Sequence, residues 1–115
     1  MQKIKVYRKE ELTMRSPVPG AMMWAVGLEK AMLTYFEMAP DTQFAEHSHE
    51  SEQITLVLEG EVTFSYDGKT ETLGPGGVIA IPSNVKHAVA SGPSLCRAVD
   101  AWSPVRKEYL EPISE

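Results

Sequence analysis

At 115 residues the chain has the length of one ordinary domain, with room for a real core but not for a second folded unit such as a DNA-binding module. Eleven Lys and Arg against 16 Asp and Glu give a formal net charge of -5 with no basic block, which argues against nucleic acid as a partner. A single cysteine, Cys96, allows neither an intrachain disulfide nor a zinc ribbon. With no apolar leader at the amino end and no apolar run of membrane-spanning length, the expectation is a cytoplasmic protein that meets no membrane.

In chain order, residues 1–19 are expected as an N-terminal strand carrying Ile4, Val6 and Tyr7, ahead of a core over residues 20–103. The methionines Met22, Met23, Met32 and Met38 read as core filler. Residues 31–38 carry apolar side chains on both parities, the pattern of a strand packed on two sides, and Pro40-Asp41 ends it. From Ile54 to Tyr66 the even positions are apolar and the odd ones polar, with only Val57 breaking the alternation and Gly60 marking a turn or bulge. Asp67-Gly68 predicts a hairpin returning through residues 69–73, and Gly74-Pro75-Gly76-Gly77 a further turn. Strands over 78–81, 87–90 and 95–102 follow, then a charged tail over 104–115 with one helical turn. Many short strands with closely spaced turn signals and no solenoid repeat define an all-β sandwich or barrel, one domain over 1–115.

All three histidines fall where a metal site can use them. His47, His49 and Gln53 are separated by two and four residues, so in extended backbone they share one face, and His87 follows the Pro82-Ser83-Asn84 turn. Imidazole nitrogens suit zinc, iron, nickel, copper or manganese, and a Gln carbonyl oxygen is an acceptable neutral companion. The expected cofactor is one divalent transition metal (Ni, Zn, Mn or Fe).

These residues carry a resemblance. His47-x-His49-x3-Gln53-x6-Gly60 resembles the first motif of the cupin superfamily, and Gly76-x5-Pro82-x-Asn84-x2-His87 the second. Gln53 stands where the commoner pattern has Glu, and Asn84 where it often has Gly, a turn position that Asn tolerates. The resemblance implies a double-stranded β-helix, a jelly-roll barrel with the metal inside one end, and a homodimer in which sheet faces or exchanged terminal strands such as Ile4, Val6 and Tyr7 meet.

Residues 100–110 (DAWSPVRKEYL) are similar to the carboxyl end of the small cupins of pectin and alginate breakdown that linearise 4,5-unsaturated uronates. That resemblance implies a ligand set of His47, His49, Gln53 and His87, with Asp100, Trp102 and Arg106 in the chemistry; Trp102 stands where Phe is more usual. The implied activity is a metal-dependent, non-redox lyase or isomerase reaction on a sugar acid. Asp100 and Trp102 are two apart on one strand and share a face with Cys96 and Ala98. Asp100 is the expected proton carrier, Arg106 the fork for the substrate carboxylate and Trp102 a wall against the sugar ring.

Competing readings exist for each residue. Gln53 also reads as a strand residue hydrogen-bonded to a neighbour, Asp100 as an acid paired with Arg97 or Arg106, Trp102 as plain core and Arg106 as a solvated tail charge. Glu50 and Glu52 read as a solvated loop, and Cys96 as a small buried hydrophobe. Two other functions fit the same barrel: an iron-dependent dioxygenase-type cupin acting on a small organic substrate, and a non-catalytic small-ligand binder.

Overall fold

The computed structural model of the protein describes residues 3–110. A one-turn 3-10 helix, Lys9–Glu11, precedes nine strands: β1 (Ala21–Gly27), β2 (Met32–Met38), β3 (Gln43–His47), β4 (Glu52–Glu59), β5 (Val62–Tyr66), β6 (Lys69–Leu73), β7 (Val78–Ile81), β8 (His87–Ser91) and β9 (Cys96–Ser103). A single helical turn, α1 (Lys107–Leu110), closes the described chain. The strands form two antiparallel sheets, one in the order β1-β2-β9-β4-β7 and the other β3-β8-β5-β6, so every sheet neighbour except β1-β2 and β5-β6 is distant in sequence. This is the expected all-β jelly roll. Met38, Val57, Val62, Phe64, Ile81 and Cys96 fill the space between the sheets. Among the described residues no helix is long and apolar enough to cross a membrane.

Two expectations need correction, and a third feature, the direction of β4, emerges only in the structure. In place of an N-terminal strand over 1–19, the described residues hold the 3-10 turn and one isolated bridge, Arg15 to Met23, while Ile4 stands 96% exposed. Met22 is not core filler: β1 alternates, so Met23 is fully buried and Met22 points outward. The apolar parity of β4 also faces the other way from the core. Gln53, Thr55 and Val57 are buried, whereas Ile54, Leu56 and Leu58 are exposed.

The reversal has a local cause. Gly60 sits at φ +74, where L side chains are strained, and a Cβ there would lie 2.2 Å from the Leu95 carbonyl oxygen. The turn it makes shifts the parity between β4, which points its odd residues inward, and β5, which buries Val62 and Phe64. Polar residues therefore enter the barrel along β4, where Gln53 and Thr55 line an interior cavity.

Candidate metal centre

Two loops and two strand ends bring the histidines together. His47 ends β3, His87 opens β8, and the two are register partners across the sheet. His49 lies in the loop to β4, and that loop is tied to the second motif by the Asn84 amide, which donates to the His49 carbonyl at 2.8 Å. Asn84 takes φ +63, the left-handed conformation that this turn requires and Asn accepts. The ring centroids stand 5.5 Å (His47 to His49), 4.5 Å (His47 to His87) and 5.0 Å (His49 to His87) apart. One nitrogen from each lies within 4.8 Å of the others.

The backbone fixes which nitrogen that is. His47 Nδ1 meets the Ala45 carbonyl at 2.8 Å, His49 Nδ1 the Ser51 carbonyl at 2.8 Å, and His87 Nδ1 the Val85 carbonyl at 2.9 Å. A carbonyl only accepts, so each Nδ1 carries the proton and each Nε2 keeps a free lone pair. Burial depresses the pKa of His49 and His87, which keeps both rings neutral as metal ligands must be. His49 Nε2 is buried with no hydrogen-bond partner among the described residues. Three converging lone pairs, one of them an orphan, are what a transition metal completes, so the donor set fits such an ion.

Behind the histidines lies a buried polar network. Thr34, Asp100 and Thr55 are register neighbours on three adjacent strands, β2, β9 and β4. Thr34 Oγ1 donates to Asp100 Oδ2 at 2.9 Å, and Thr55 Oγ1 donates to Asp100 Oδ1. Both hydroxyls are committed to that direction, because Trp102 Nε1 donates to Thr34 Oγ1 at 2.8 Å and Gln53 Nε2 to Thr55 Oγ1 at 2.9 Å. Gln53 Nε2 also reaches Asp100 Oδ1 at 3.4 Å, which holds the amide with its other end beside His49. Burial drives the Asp100 pKa upward to about 6 against the lowering effect of these three donors. Arg97 and Arg106 do not pair with it: Arg97 bonds Glu59 and Tyr35, and Arg106 bonds Glu108 and Tyr109.

The network yields a test. Thr34→Val removes one donor to Asp100 and leaves the Trp102 N–H without an acceptor. The expected outcome is a stability loss of about 1–3 kcal/mol and an upward move of the Asp100 pKa, read by chemical denaturation and by carboxyl NMR titration.

The segment after β9 folds over this end of the barrel. Arg15 Nη2 donates to the Glu108 carbonyl at 2.9 Å, and Leu110 packs where Gly27 leaves room; a Cβ on Gly27 would lie 2.8 Å from Leu110 Cδ1. Arg106 lies over the Trp102 ring at 5.7 Å and the Tyr109 ring at 4.6 Å, its Nη1 donating to Tyr109 Oη at 3.0 Å. Trp102 is buried, with its ring edge-on to His49 at 5.2 Å. His47, Gln53, His87, Asp100, Trp102 and Arg106 thus line one cavity, floored by apolar side chains such as Phe36 and Phe64.

Tyr109, Thr34 and Thr55 belong to the same site but do not stand out in the sequence. Thr55 shares the inward parity of Gln53, and Tyr109 falls one helical turn after Arg106, so weak spacing signals existed for both. Thr34 is placed only by strand register. Glu50 and Glu52 are exposed, as read from the sequence, and Cys96 is a buried thiol whose pKa burial pushes up to about 11.

The fold and the histidine cluster define a jelly roll with three histidines placed to hold a metal ion, and the cupin domain family matches residues 34–102. The chain belongs to the cupin family. Its structure is similar to an RmlC-like cupin from Shewanella frigidimarina (TM-score 0.84, 22% identity, 94% of this chain and 97% of that one). It is also similar to KdgF from Halomonas sp. (TM-score 0.82, 21% identity, 90% and 98%). In sequence it is 28% identical over 98 residues to acireductone dioxygenase from Leishmania major, covering 65% of this chain. The match spans 28% of that longer protein.

Proposed function

We propose that this cupin linearises 4,5-unsaturated uronate monosaccharides, with His47, His49, His87 and the Gln53 carbonyl oxygen as metal ligands, Asp100 as the proton carrier and Arg106 as the carboxylate grip. The observation that carries this reading is Asp100: a buried carboxylate with no cationic partner among the described residues, facing the cavity beside the histidine cluster. A structural acid this deep would be expected to hold an ion pair; this one is held only by neutral donors, which leaves it able to exchange a proton.

A divalent metal bound there supplies Lewis acidity to the substrate oxygens. Arg106 offers its planar guanidinium to the substrate carboxylate, and Trp102 with Tyr109 walls the sugar ring. Asp100 takes the proton of the hemiacetal hydroxyl. The bond from the anomeric carbon to the ring oxygen then breaks, leaving its electron pair on that oxygen and giving an aldehyde and an enolate. Asp100 returns the proton to the alkene carbon remote from the carboxylate, and the enolate becomes a ketone. Substrate and product are isomers, so no oxidant is consumed. The reaction run in deuterium oxide should give product with deuterium at that carbon, visible by NMR; unlabelled product would refute the proton route.

Arg106 gives a second expected result. Arg106→Lys keeps the charge but loses the fork, and KM for the uronate should rise about 10- to 100-fold with kcat changed less, as for the loss of one charge-assisted hydrogen bond. Steady-state kinetics read this directly, and an unchanged KM would remove Arg106 from carboxylate binding.

The similarity to acireductone dioxygenase favours one other reading, an iron-dependent cupin that uses oxygen on a small organic substrate. Oxygen consumption by iron-loaded protein across such substrates discriminates it from the uronate reaction.

A further inference from the structure

Arg106 already holds a carboxylate of its own chain. Its Nε donates to Glu108 Oε1, and its Nη1 donates to Tyr109 Oη at 3.0 Å. A carboxylate gripped side-on takes Nε and one terminal nitrogen of the guanidinium as a parallel pair of donors. Glu108 therefore stands on a donor that an incoming carboxylate needs.

The two partners of Arg106 differ in how firmly they are fixed. Tyr109 packs edge-on to Phe36 and Trp102, with ring centroids 5.8 and 5.5 Å away, and is part of the cavity wall. The Glu108 side chain is 62% exposed against 18% for that of Arg106, so it can leave for water without opening the core. An ion pair with so exposed a member shifts an equilibrium by a factor of only about 2–5. Glu108 is the partner that can yield.

The room in the cavity makes some yielding necessary. As Arg106 is held here, the cavity leaves about 50 Å³, space for a few water molecules. Ligand pockets start at roughly 300 Å³. Among the described residues that line the cavity, all but Arg106 and Tyr109 lie on strands, whose backbones are fixed by sheet hydrogen bonds. With Tyr109 packed between two aromatic rings, Arg106 is the lining side chain free to reorient, and Glu108 holds it back.

We infer that Glu108 is an internal surrogate for the ligand's carboxylate: it occupies Arg106 in the ligand-free barrel, and a carboxylate ligand binds by replacing it on the guanidinium. Glu108 thereby sets affinity by competing with the ligand. The inference rests on the carboxylate grip assigned to Arg106 in the uronate reading, but not on the reaction that follows. The ketone product keeps the same carboxylate, so the reverse exchange assists its release.

NMR titration of the full, zinc-loaded chain with sodium glucuronate tests it, followed at the Arg106 Nε–H signal. Glucuronate carries the carboxylate but no enol ether. Glu108→Gln lies on one exposed helical turn and should fold as wild type does. Its dissociation constant for glucuronate is expected to fall about 2- to 5-fold, and KM for unsaturated monouronate to fall by the same factor. Binding of glucose, which lacks the carboxylate, should not tighten. Glu50→Gln removes an equal charge from an exposed loop without touching Arg106, and screening should hold its effect below about 1.5-fold. Unchanged glucuronate affinity in Glu108→Gln, an equal gain in Glu50→Gln, or no saturable glucuronate binding to either protein would overturn the inference. Tighter glucuronate binding without turnover of the unsaturated uronate would keep it and remove the uronate reaction; turnover with unchanged affinity would do the reverse.

Discussion

Asp100→Asn is expected to lower kcat on an unsaturated uronate by about 10²- to 10⁴-fold while metal content stays at the wild-type level, the range for loss of a positioned acid-base group. Asn keeps the size and one acceptor oxygen but cannot carry a proton. Unfolding would not account for the loss. The folded Asp100 pKa lies at about 6, above its ordinary 3.8, so its favourable contribution to stability is present below the unfolded value and lost as pH rises through 6. At pH 7 the buried carboxylate thus costs on the order of 3 kcal/mol, which Asn does not incur. Against that, one of the two threonine hydroxyls would face an amide NH2 group, at about 1–3 kcal/mol. The two nearly cancel, so the thermal midpoint should move little. In the wild type, activity should fall as pH drops below about 6, where Asp100 becomes protonated and can no longer accept the hemiacetal proton. Measured at saturating metal, that acid limb should be absent from the residual activity of Asp100→Asn.

His47→Ala carries the second large effect. His47, at the end of β3, is only partly buried, so its removal opens no cavity in the core. Loss of one of three imidazole ligands should weaken metal binding by more than ~100-fold, beyond the 10- to 100-fold typical of a supporting residue. Metal added at about 1,000 times its dissociation constant should stabilise the wild type by roughly 4 kcal/mol against heat and leave His47→Ala nearly unchanged. Calorimetric scans with and without metal read this, alongside metal analysis of the purified variant. A variant that retains stoichiometric metal would place the ligand set elsewhere.

The sequence made the site far more legible than its surroundings. Histidine spacing, the two turn glycines and Asn84 are local features, so residues 47–60 and 76–87 declared both the barrel and its cluster. Asp100 and Trp102 were readable because a period of two ties them to one face of one strand. Thr34 was not readable, because its role depends on β2 lying beside β9, a neighbour 66 residues away that no local pattern encodes. β1 was missed for a related reason: it carries apolar residues on both faces, the inner against the core and the outer on an exposed sheet. The same ambiguity concealed the direction of β4. An alternating strand shows two faces, but which one enters the barrel depends on β9 lying beside β4, where Gln53 and Thr55 meet Asp100, leaving Ile54, Leu56 and Leu58 outside.

The ultraviolet absorbance of the enol ether tests the central claim most directly, followed without oxygen after metal-loaded protein meets freshly prepared unsaturated monouronate. The expected result is rapid loss of absorbance with wild type and a rate near background with Asp100→Asn. No acceleration by metal-loaded wild type, or full activity in Asp100→Asn, would contradict it.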